Sequence, residues 1–218
     1  MFFLKKVVFL KVFLSVIMFT MFCCQIKEID YDSEKFYISR LNLVSQQRKI
    51  YAEKYKFLAD KIQCVESWLL LKKLLEENYG IRGPLDFSFA ENGKPFLKNY
   101  PEIRFSLSHC RKACVCAVDK NPVGADIEEI PGKPDDELFR FALSRKEYEA
   151  VIKSENPCAA FAEFWTKKES YLKLTGEGLS DNLKNILSQE ILDEYIFETT
   201  ANLEKGYVFT ICRKRCCT

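Results

Sequence analysis

Two short segments, about 40 residues apart, constrain this chain more than any other part of its sequence. The first, Val-Gly-Ala-Asp-Ile-Glu, predicts a β-strand whose alternation places Asp126 and Glu128 on one face. The second, Phe-Trp-Thr-Lys-Lys-Glu-Ser-Tyr-Leu-Lys, predicts a helix with Glu169 and Lys173 on one face, because they are four residues apart. If the strand packs on the helix, three carboxylates and an ammonium group converge. Such a set suits a hard divalent cation that bridges a phosphate.

The composition is that of an ordinary folded enzyme. The chain has 218 residues, of which 48% are hydrophobic, enough for one large domain or two small ones with a real core. The formal net charge is only +2, whereas a nucleic-acid-binding protein more often has a strong basic excess. We therefore expect no nucleic-acid partner.

The ten cysteines lack the spacing of a structural zinc site, since no Cys-x-x-Cys pair occurs and His109 is the only histidine. The run Ala-Cys-Val-Cys-Ala places two cysteines in a strand, where they act as small hydrophobic residues. Free thiols in a reducing compartment are the simplest interpretation, which predicts a cytoplasmic protein. The pattern assigns no task to the pair Cys216-Cys217.

Residues 1–20 form an apolar N-terminal extension with a few lysines. The uncharged stretch over 12–24 is too short to span a bilayer comfortably, and no good signal-peptide cleavage site follows it. We interpret the extension as a mis-assigned translation start, with Met18 or Met21 as the true beginning. A membrane-tethered form is the alternative, although we expect no membrane partner.

Periodicity and turn residues predict a mixture of helices and strands. Asn156 and Pro157 are typical of a helix start, and Ser144 with Glu147 could form a capping box. The predicted helices cover 45–77 with a break near Ala59-Asp60, then 137–142, 144–154 and 157–175. The predicted strands cover 21–29, 87–90, 103–107, 113–118, 123–128, 195–199 and 206–212.

The two segments resemble the signature motifs of 4'-phosphopantetheinyl transferases, of the larger type that activates surfactin-like synthetases. The family pattern is roughly G-[IV]-D-[IV]-E followed by W-[ST]-x-K-E-[AS]-x-x-K, and both parts occur here in order. Ala125 departs from the pattern, where Ile or Val is usual. Since Ala125 faces the packed side of the predicted strand, this change affects packing more than chemistry.

The resemblance implies an α+β fold of two similar α/β halves in a pseudo-twofold arrangement, with the active site at their interface. The halves would be residues 21–118 and 119–218, and the second would carry both signature motifs. A monomer is the expectation for this length of chain.

The resemblance also implies the site. Asp126, Glu128 and Glu169 would bind Mg²⁺, Glu169 would act as the catalytic base, and Lys173 would neutralise the transferred phosphate. The co-substrate would be coenzyme A, which carries the phosphates that such a site needs. Its binding residues would be Arg48, Gly93, Lys94, Pro95, Ser108, His109 and Lys173. Cys110 replaces the serine that usually follows the histidine, and Gln63 and Cys64 replace residues that are often Arg and Thr.

The implied reaction transfers 4'-phosphopantetheine from coenzyme A to a serine hydroxyl of an acyl or peptidyl carrier protein and releases 3',5'-ADP. This is a holo-[acyl-carrier-protein] synthase type of activity with a transient carrier-protein partner. Two alternatives stay open: a catalytically impaired homologue that binds coenzyme A or a carrier protein, and an unrelated metal-dependent phosphotransferase. The sequence does not identify the carrier, the pathway or the docking surface.

Three residues near the predicted chemistry allow more than one interpretation of their role. We expect Trp165 to be a core residue rather than a stacking platform for a base. Gly124 could let backbone approach a ligand, and Lys173 with Glu169 could be an ordinary pair on a helix surface.

Overall fold

The computed structural model describes residues 22–29, 34–178 and 183–215, so the predicted extension over 1–20 lies outside the described residues. The strands are β1 Cys23–Glu28, β2 Phe87–Phe89, β3 Pro95–Leu97, β4 Arg104–His109, β5 Ala113–Asp119, β6 Val123–Glu129, β7 Tyr195–Asn202 and β8 Tyr207–Lys214. The helices are α1 Glu34–Leu41, α2 Gln46–Ala52, α3 Leu58–Tyr79, α4 Asp136–Ala142, α5 Arg145–Lys153, α6 Pro157–Thr175 and α7 Gln189–Glu194. A short 3₁₀ helix covers Leu183–Asn185.

Two antiparallel three-stranded sheets form the framework, with strand orders β1-β5-β4 and β6-β8-β7. In each sheet the last strand along the chain, β5 or β8, lies in the middle and pairs with the other two. A long helix follows the first strand in both cases, α3 in one and α6 in the other. The fold is therefore mixed α and β, as the sequence predicts. Each part has one strand, three helices and then a pair of strands, with the β2–β3 hairpin added in the first part and the 3₁₀ helix and α7 added in the second.

Strand β5 shows how the layers stack, because all seven of its residues are buried. Cys114 and Cys116 belong to the core beneath α3, whereas Val115 belongs to the core shared with β6 and β8. Since successive side chains of a strand point to opposite faces, β5 lies between two apolar layers. The order of layers is helix α3, sheet, sheet and helix α6.

Gly124 sets how closely helix α6 approaches strand β6. A Cβ atom at Gly124 would lie 1.8 Å from the backbone oxygen of Ser170 and 2.8 Å from the backbone nitrogen of Leu174. No side chain fits in that space, so the glycine allows close contact between strand and helix. The interpretation that Gly124 admits a ligand is wrong, because α6 fills the position.

The caps of the predicted helices are confirmed. The side chain of Asn156 accepts from the backbone N–H of Ala159, and Ser144 and Glu147 form the capping box that starts α5. Gly176 ends α6 in the left-handed conformation, with φ of 80°.

The predicted elements differ from the structure in the place of one helix break and in three short elements. The first predicted helix breaks at residues 53–57, between α2 and α3, and not at Ala59-Asp60, which lie inside α3. Strand β3 and helices α1 and α7 were not predicted. Each is short, with at most eight residues, so its periodicity is weak.

Among residues 22–29, 34–178 and 183–215, no helix has the length and apolar character needed to cross a membrane. The eight cysteines in the same ranges are free thiols, and Cys216 and Cys217 lie outside them.

Candidate active site

Asp126 lies where the two sheets meet. It is the fourth residue of β6 and only 1% exposed. Its Oδ1 atom accepts from Ser108 Oγ on β4 at 2.8 Å and from Lys173 Nζ on α6 at 2.5 Å. Its Oδ2 atom is buried and has no hydrogen-bond partner among the described residues. An unpartnered carboxylate oxygen is costly when buried, so Oδ2 is the atom of this site that most needs a cation or a donor.

Glu128 follows two residues later on the same face of β6. Burial, together with the nearby Asp126 carboxylate, raises the pKa of Glu128 from an ordinary value of 4.5 to about 7. The Lys173 ammonium and a side-chain hydrogen bond from Trp165 act in the opposite direction. Trp165 also packs against Phe161, with ring centroids 5.9 Å apart, so it is both a packing residue and a partner of Glu128.

Glu169 faces the same group of charges from helix α6. Burial and the Asp126 carboxylate raise the pKa of Glu169, whereas the Lys173 ammonium lowers it. Lys173 itself is directed to Asp126 and to Ser108 Oγ, which lies 2.8 Å from Nζ. The interpretation of Lys173 as an ordinary surface partner of Glu169 is therefore wrong. Its ammonium group instead contacts strand β4 of one sheet and strand β6 of the other.

The donor set fits a hard divalent cation in its chemistry, since it consists of carboxylate oxygens and one of them is buried without a partner. Burial raises the pKa values of Glu128 and Glu169 first, and the nearby Asp126 carboxylate raises them second, as expected when buried like charges share a site. The side chains are not drawn together as tightly as in a preformed metal centre. Within the described ranges, no group of three or more His, Cys, Asp or Glu side chains is gathered closely enough to hold a metal ion.

His109 is the last residue of β4, directly after Ser108. Burial lowers the pKa of His109, and the positive charges of Lys173 and Arg48 lower it further. The sequence prediction that these residues share a site is consistent with this electrostatic contact. At neutral pH the imidazole is mainly uncharged.

Arg48 is buried against aromatic rings near the start of α2. Its guanidinium carbon lies 4.7 Å from the ring centroid of Trp68 and 5.0 Å from that of Tyr51. Its Nη2 donates to the backbone oxygen of Cys64 at 2.7 Å, whereas its Nε is buried and bonds to nothing in the part of the chain that the structure describes. The Nε–H group of Arg48 is thus a buried donor that could bind a ligand.

In the β2–β3 hairpin, Gly93 and Lys94 lie in the connection between the strands, and Pro95 is the first residue of β3. Lys94 Nζ donates to the backbone oxygen of Leu174, 3.0 Å away at the end of α6. Burial, with the nearby Arg104, lowers the pKa of Lys94 to about 8. The segment therefore lies beside the helix that carries Glu169 and Lys173, although these contacts do not include the carboxylates.

Lys168 is a residue of this site region that the sequence reasoning did not single out. It is 0% exposed, and its Nζ donates to Glu147 Oε2 at 2.7 Å and to the backbone oxygens of Ala142 and Leu183, each at 2.8 Å. It therefore ties α6 to α5, to the end of α4 and to the segment after α6. Its sequence signal was its place as the fixed lysine before Glu169 in the second motif, to which the sequence assigned no role.

Comparison with known proteins identifies relatives of this chain. A family model described as the 4'-phosphopantetheinyl transferase superfamily matches residues 122–212, which include both β6 and α6. The chain is 34% identical over 176 residues to 4'-phosphopantetheinyl transferase psf-1 of Bacillus pumilus, covering 77% of this chain and 73% of that protein.

Two further relatives extend the similarity over most of the chain. The chain is 24% identical to 4'-phosphopantetheinyl transferase Sfp of Bacillus subtilis over 83% of its own length and 85% of that protein. It is 32% identical to 4'-phosphopantetheinyl transferase gsp of Aneurinibacillus migulanus over 70% of its length and 63% of that protein. The motif residues and their contacts, together with these matches, show that the chain belongs to the 4'-phosphopantetheinyl transferase superfamily.

Proposed function

We propose that this protein transfers the 4'-phosphopantetheine group of coenzyme A to a serine hydroxyl of an acyl or peptidyl carrier protein, in a Mg²⁺-dependent reaction. The observation that carries the proposal is the contact of Ser108, Asp126 and Lys173, which joins both sheets and helix α6 at one carboxylate. The buried free oxygen of Asp126 supports a cation there. Family membership supports the class of reaction.

Asp126, Glu128 and Glu169 would hold the Mg²⁺ ion, which when bound would neutralise charge on the pyrophosphate of coenzyme A. The raised pKa values of Glu128 and Glu169 support this assignment, because buried carboxylates that lie near one another gain most from a cation. Lys173 would have to exchange its contact with Asp126 for one with the transferred phosphate.

Glu169 would take the proton of the carrier serine, directly or through a water molecule. The serine Oγ would form a bond to the β-phosphorus, and the bond from that phosphorus to the bridging oxygen would break. The bridging oxygen would leave with its electron pair as part of 3',5'-ADP. Lys173 would stabilise the charge that develops on the phosphoryl oxygens.

For coenzyme A we propose that the nucleotide end binds along Arg48, His109 and the Gly93-Lys94-Pro95 segment. Arg48 has an unused Nε donor, and its charge acts on His109. We further propose that residues 21–118 and 119–218 are the two halves of a pseudo-twofold arrangement with the site between them. The matching order of elements in the two sheets supports this division. We propose a cytoplasmic monomer.

The test is the intact mass of apo acyl and apo peptidyl carrier proteins after incubation with this protein, coenzyme A and Mg²⁺. We expect the carrier to gain one phosphopantetheine group, and we expect EDTA and Glu169→Gln each to prevent the gain. Coenzyme A binding without any gain would favour the catalytically impaired alternative. The absence of coenzyme A binding would exclude both the transferase activity and the catalytically impaired alternative.

A further inference from the structure

Ser108 uses its hydroxyl group entirely within the proposed metal site. The residue is 7% exposed, and its Oγ donates its one proton to Asp126 Oδ1 at 2.8 Å. The same oxygen accepts from Lys173 Nζ at 2.8 Å. A hydroxyl has a single proton to donate, so Ser108 has none left for a phosphate while it bonds Asp126.

The two oxygens of Asp126 are treated unequally as a result. Oδ1 accepts a hydrogen bond from both Ser108 and Lys173, whereas Oδ2 is buried and bonds to no residue within 22–29, 34–178 and 183–215. Because both donors act on one oxygen, they fix the rotation of the carboxylate group. That rotation determines which oxygen is left to meet a cation.

We propose that Ser108 is a positioning residue for Asp126, which orients the carboxylate so that Oδ2 is presented to the divalent cation. Ser108 thus acts through Asp126 and does not serve chiefly as a ligand of the coenzyme A nucleotide. Partners of this kind that orient a metal ligand strongly affect metal affinity. This inference rests on the proposed function, because it presumes that Asp126 binds the cation.

Ser106 provides a matched control on the same strand. It lies two residues before Ser108, is 5% exposed and also reaches across to β6. Its hydroxyl, however, accepts from the backbone N–H of Ala125 at 2.9 Å and does not contact a carboxylate. Removal of the Ser106 hydroxyl should therefore weaken the contact between β4 and β6 without changing the orientation of the Asp126 carboxylate.

The experiment measures two affinities for wild type, Ser108→Ala, Ser108→Thr, Ser106→Ala and Asp126→Asn. Mn²⁺, as a probe for Mg²⁺, is titrated and followed by its electron paramagnetic resonance signal. Coenzyme A is titrated calorimetrically in EDTA. We expect Ser108→Ala to weaken Mn²⁺ binding by about 10-fold or more and to leave metal-free coenzyme A binding unchanged. Ser108→Thr, which keeps a hydroxyl, should retain most of the Mn²⁺ affinity and guards against a folding defect in Ser108→Ala.

Three results would overturn the inference alone, with the proposed function intact. One is wild-type Mn²⁺ affinity in Ser108→Ala, and a second is a selective loss of metal-free coenzyme A binding in that variant. The third is an equal loss of Mn²⁺ affinity in Ser106→Ala, which would mean that any loosening of β4 against β6 suffices. If wild type binds no Mn²⁺, or Asp126→Asn binds it equally well, the metal site in the proposed function is wrong and the positioning of Asp126 falls with it.

Discussion

Lys173 Nζ lies 2.5 Å from Asp126 Oδ1, and this contact joins helix α6 to strand β6 inside the candidate active site. The Asp126 side chain is 2% exposed, whereas that of Lys173 retains 33% of its exposure. A buried carboxylate therefore has a cationic partner that still reaches solvent. Such an ammonium group can neutralise Asp126 and can also move to an incoming phosphate.

We expect Lys173→Met to reduce phosphopantetheine transfer by about 100-fold or more, as removal of a group that stabilises transition-state charge commonly does. Carrier mass analysis over time would measure the rate. In EDTA the variant should also melt at a lower temperature than wild type, because Asp126 loses its cationic partner. Mg²⁺ should raise its melting temperature more than that of wild type. The exposed Lys120→Met is the control, and wild-type turnover in Lys173→Met would contradict the assignment.

Gly124→Ala should destabilise the protein by about 3 kcal/mol or more, since the new Cβ would collide with helix α6 and backbone cannot move as easily as a side chain. The clash is with Ser170 O, 1.8 Å from the Cβ position. Urea denaturation would measure the loss. Gly132→Ala is the matched control, because no atom lies within 4 Å of its Cβ position. Equal stability of the two variants would show that α6 is not held this closely to β6.

Lys168→Met should cost about 3–5 kcal/mol of unfolding free energy, the usual loss when one partner of a buried ion pair is removed. The change leaves the Glu147 carboxylate and two backbone oxygens without the hydrogen bonds that Lys168 Nζ now donates to them. Lys167→Met is the control from the same motif, since Lys167 Nζ lies 5.5 Å from the Phe164 ring centroid at the partly exposed side of α6. Thermal and urea denaturation should separate the two variants clearly. Comparable small losses would mean that Lys168 is dispensable for folding.

Glu128 predicts a pH dependence for the metal-free protein. Its folded-state pKa of about 7 lies above the ordinary value of 4.5, so the folded state holds a proton that the unfolded state has released between these values. By linkage, the contribution of Glu128 to stability falls as pH rises from about 4.5 to about 7. The glutamine in Glu128→Gln cannot ionise. In EDTA the stability of this variant relative to wild type should therefore increase as pH rises through this window, and the difference should stay constant at higher pH.

Melting temperatures of wild type and Glu128→Gln, taken at several pH values in EDTA, test this dependence. The control is the same series with Glu137→Gln, which changes an exposed glutamate on α4. A difference between wild type and Glu128→Gln that is flat from pH 4.5 to 7 would contradict the raised pKa. Mg²⁺ should narrow the difference above pH 7, because the ionised Glu128 would then have a cation beside it.

The elements that bear the site could be predicted because their signals are local. The alternation around Asp126 and the capping residues at either end of α6 each depend on a few neighbouring residues. The same is true of Glu169 and Lys173, whose common face follows from helix geometry. Strong local patterns of this kind need no knowledge of the rest of the chain.

The contacts made by distant residues could not be predicted. Ser108 and Asp126 are 18 positions apart, and Lys168 reaches an acceptor on α5, so only the packing of sheets and helices determines these pairs. The function of Gly124 was misread for the same reason, since a ligand and a neighbouring helix both require a missing side chain. The break between α2 and α3 depends on how α2 packs on α3, which periodicity does not encode.

The two buried serines of β4 have a consequence for any dissected form of this protein. Ser106 and Ser108 supply bonds to Ala125 and Asp126, and neither lies in the 122–212 stretch that matches the family model. A fragment containing that stretch alone would keep both sequence motifs but would expose the apolar side of β6 and leave Asp126 without its hydroxyl donor. We expect such a fragment to be inactive and poorly folded, and to recover only when the complementary fragment is supplied in trans.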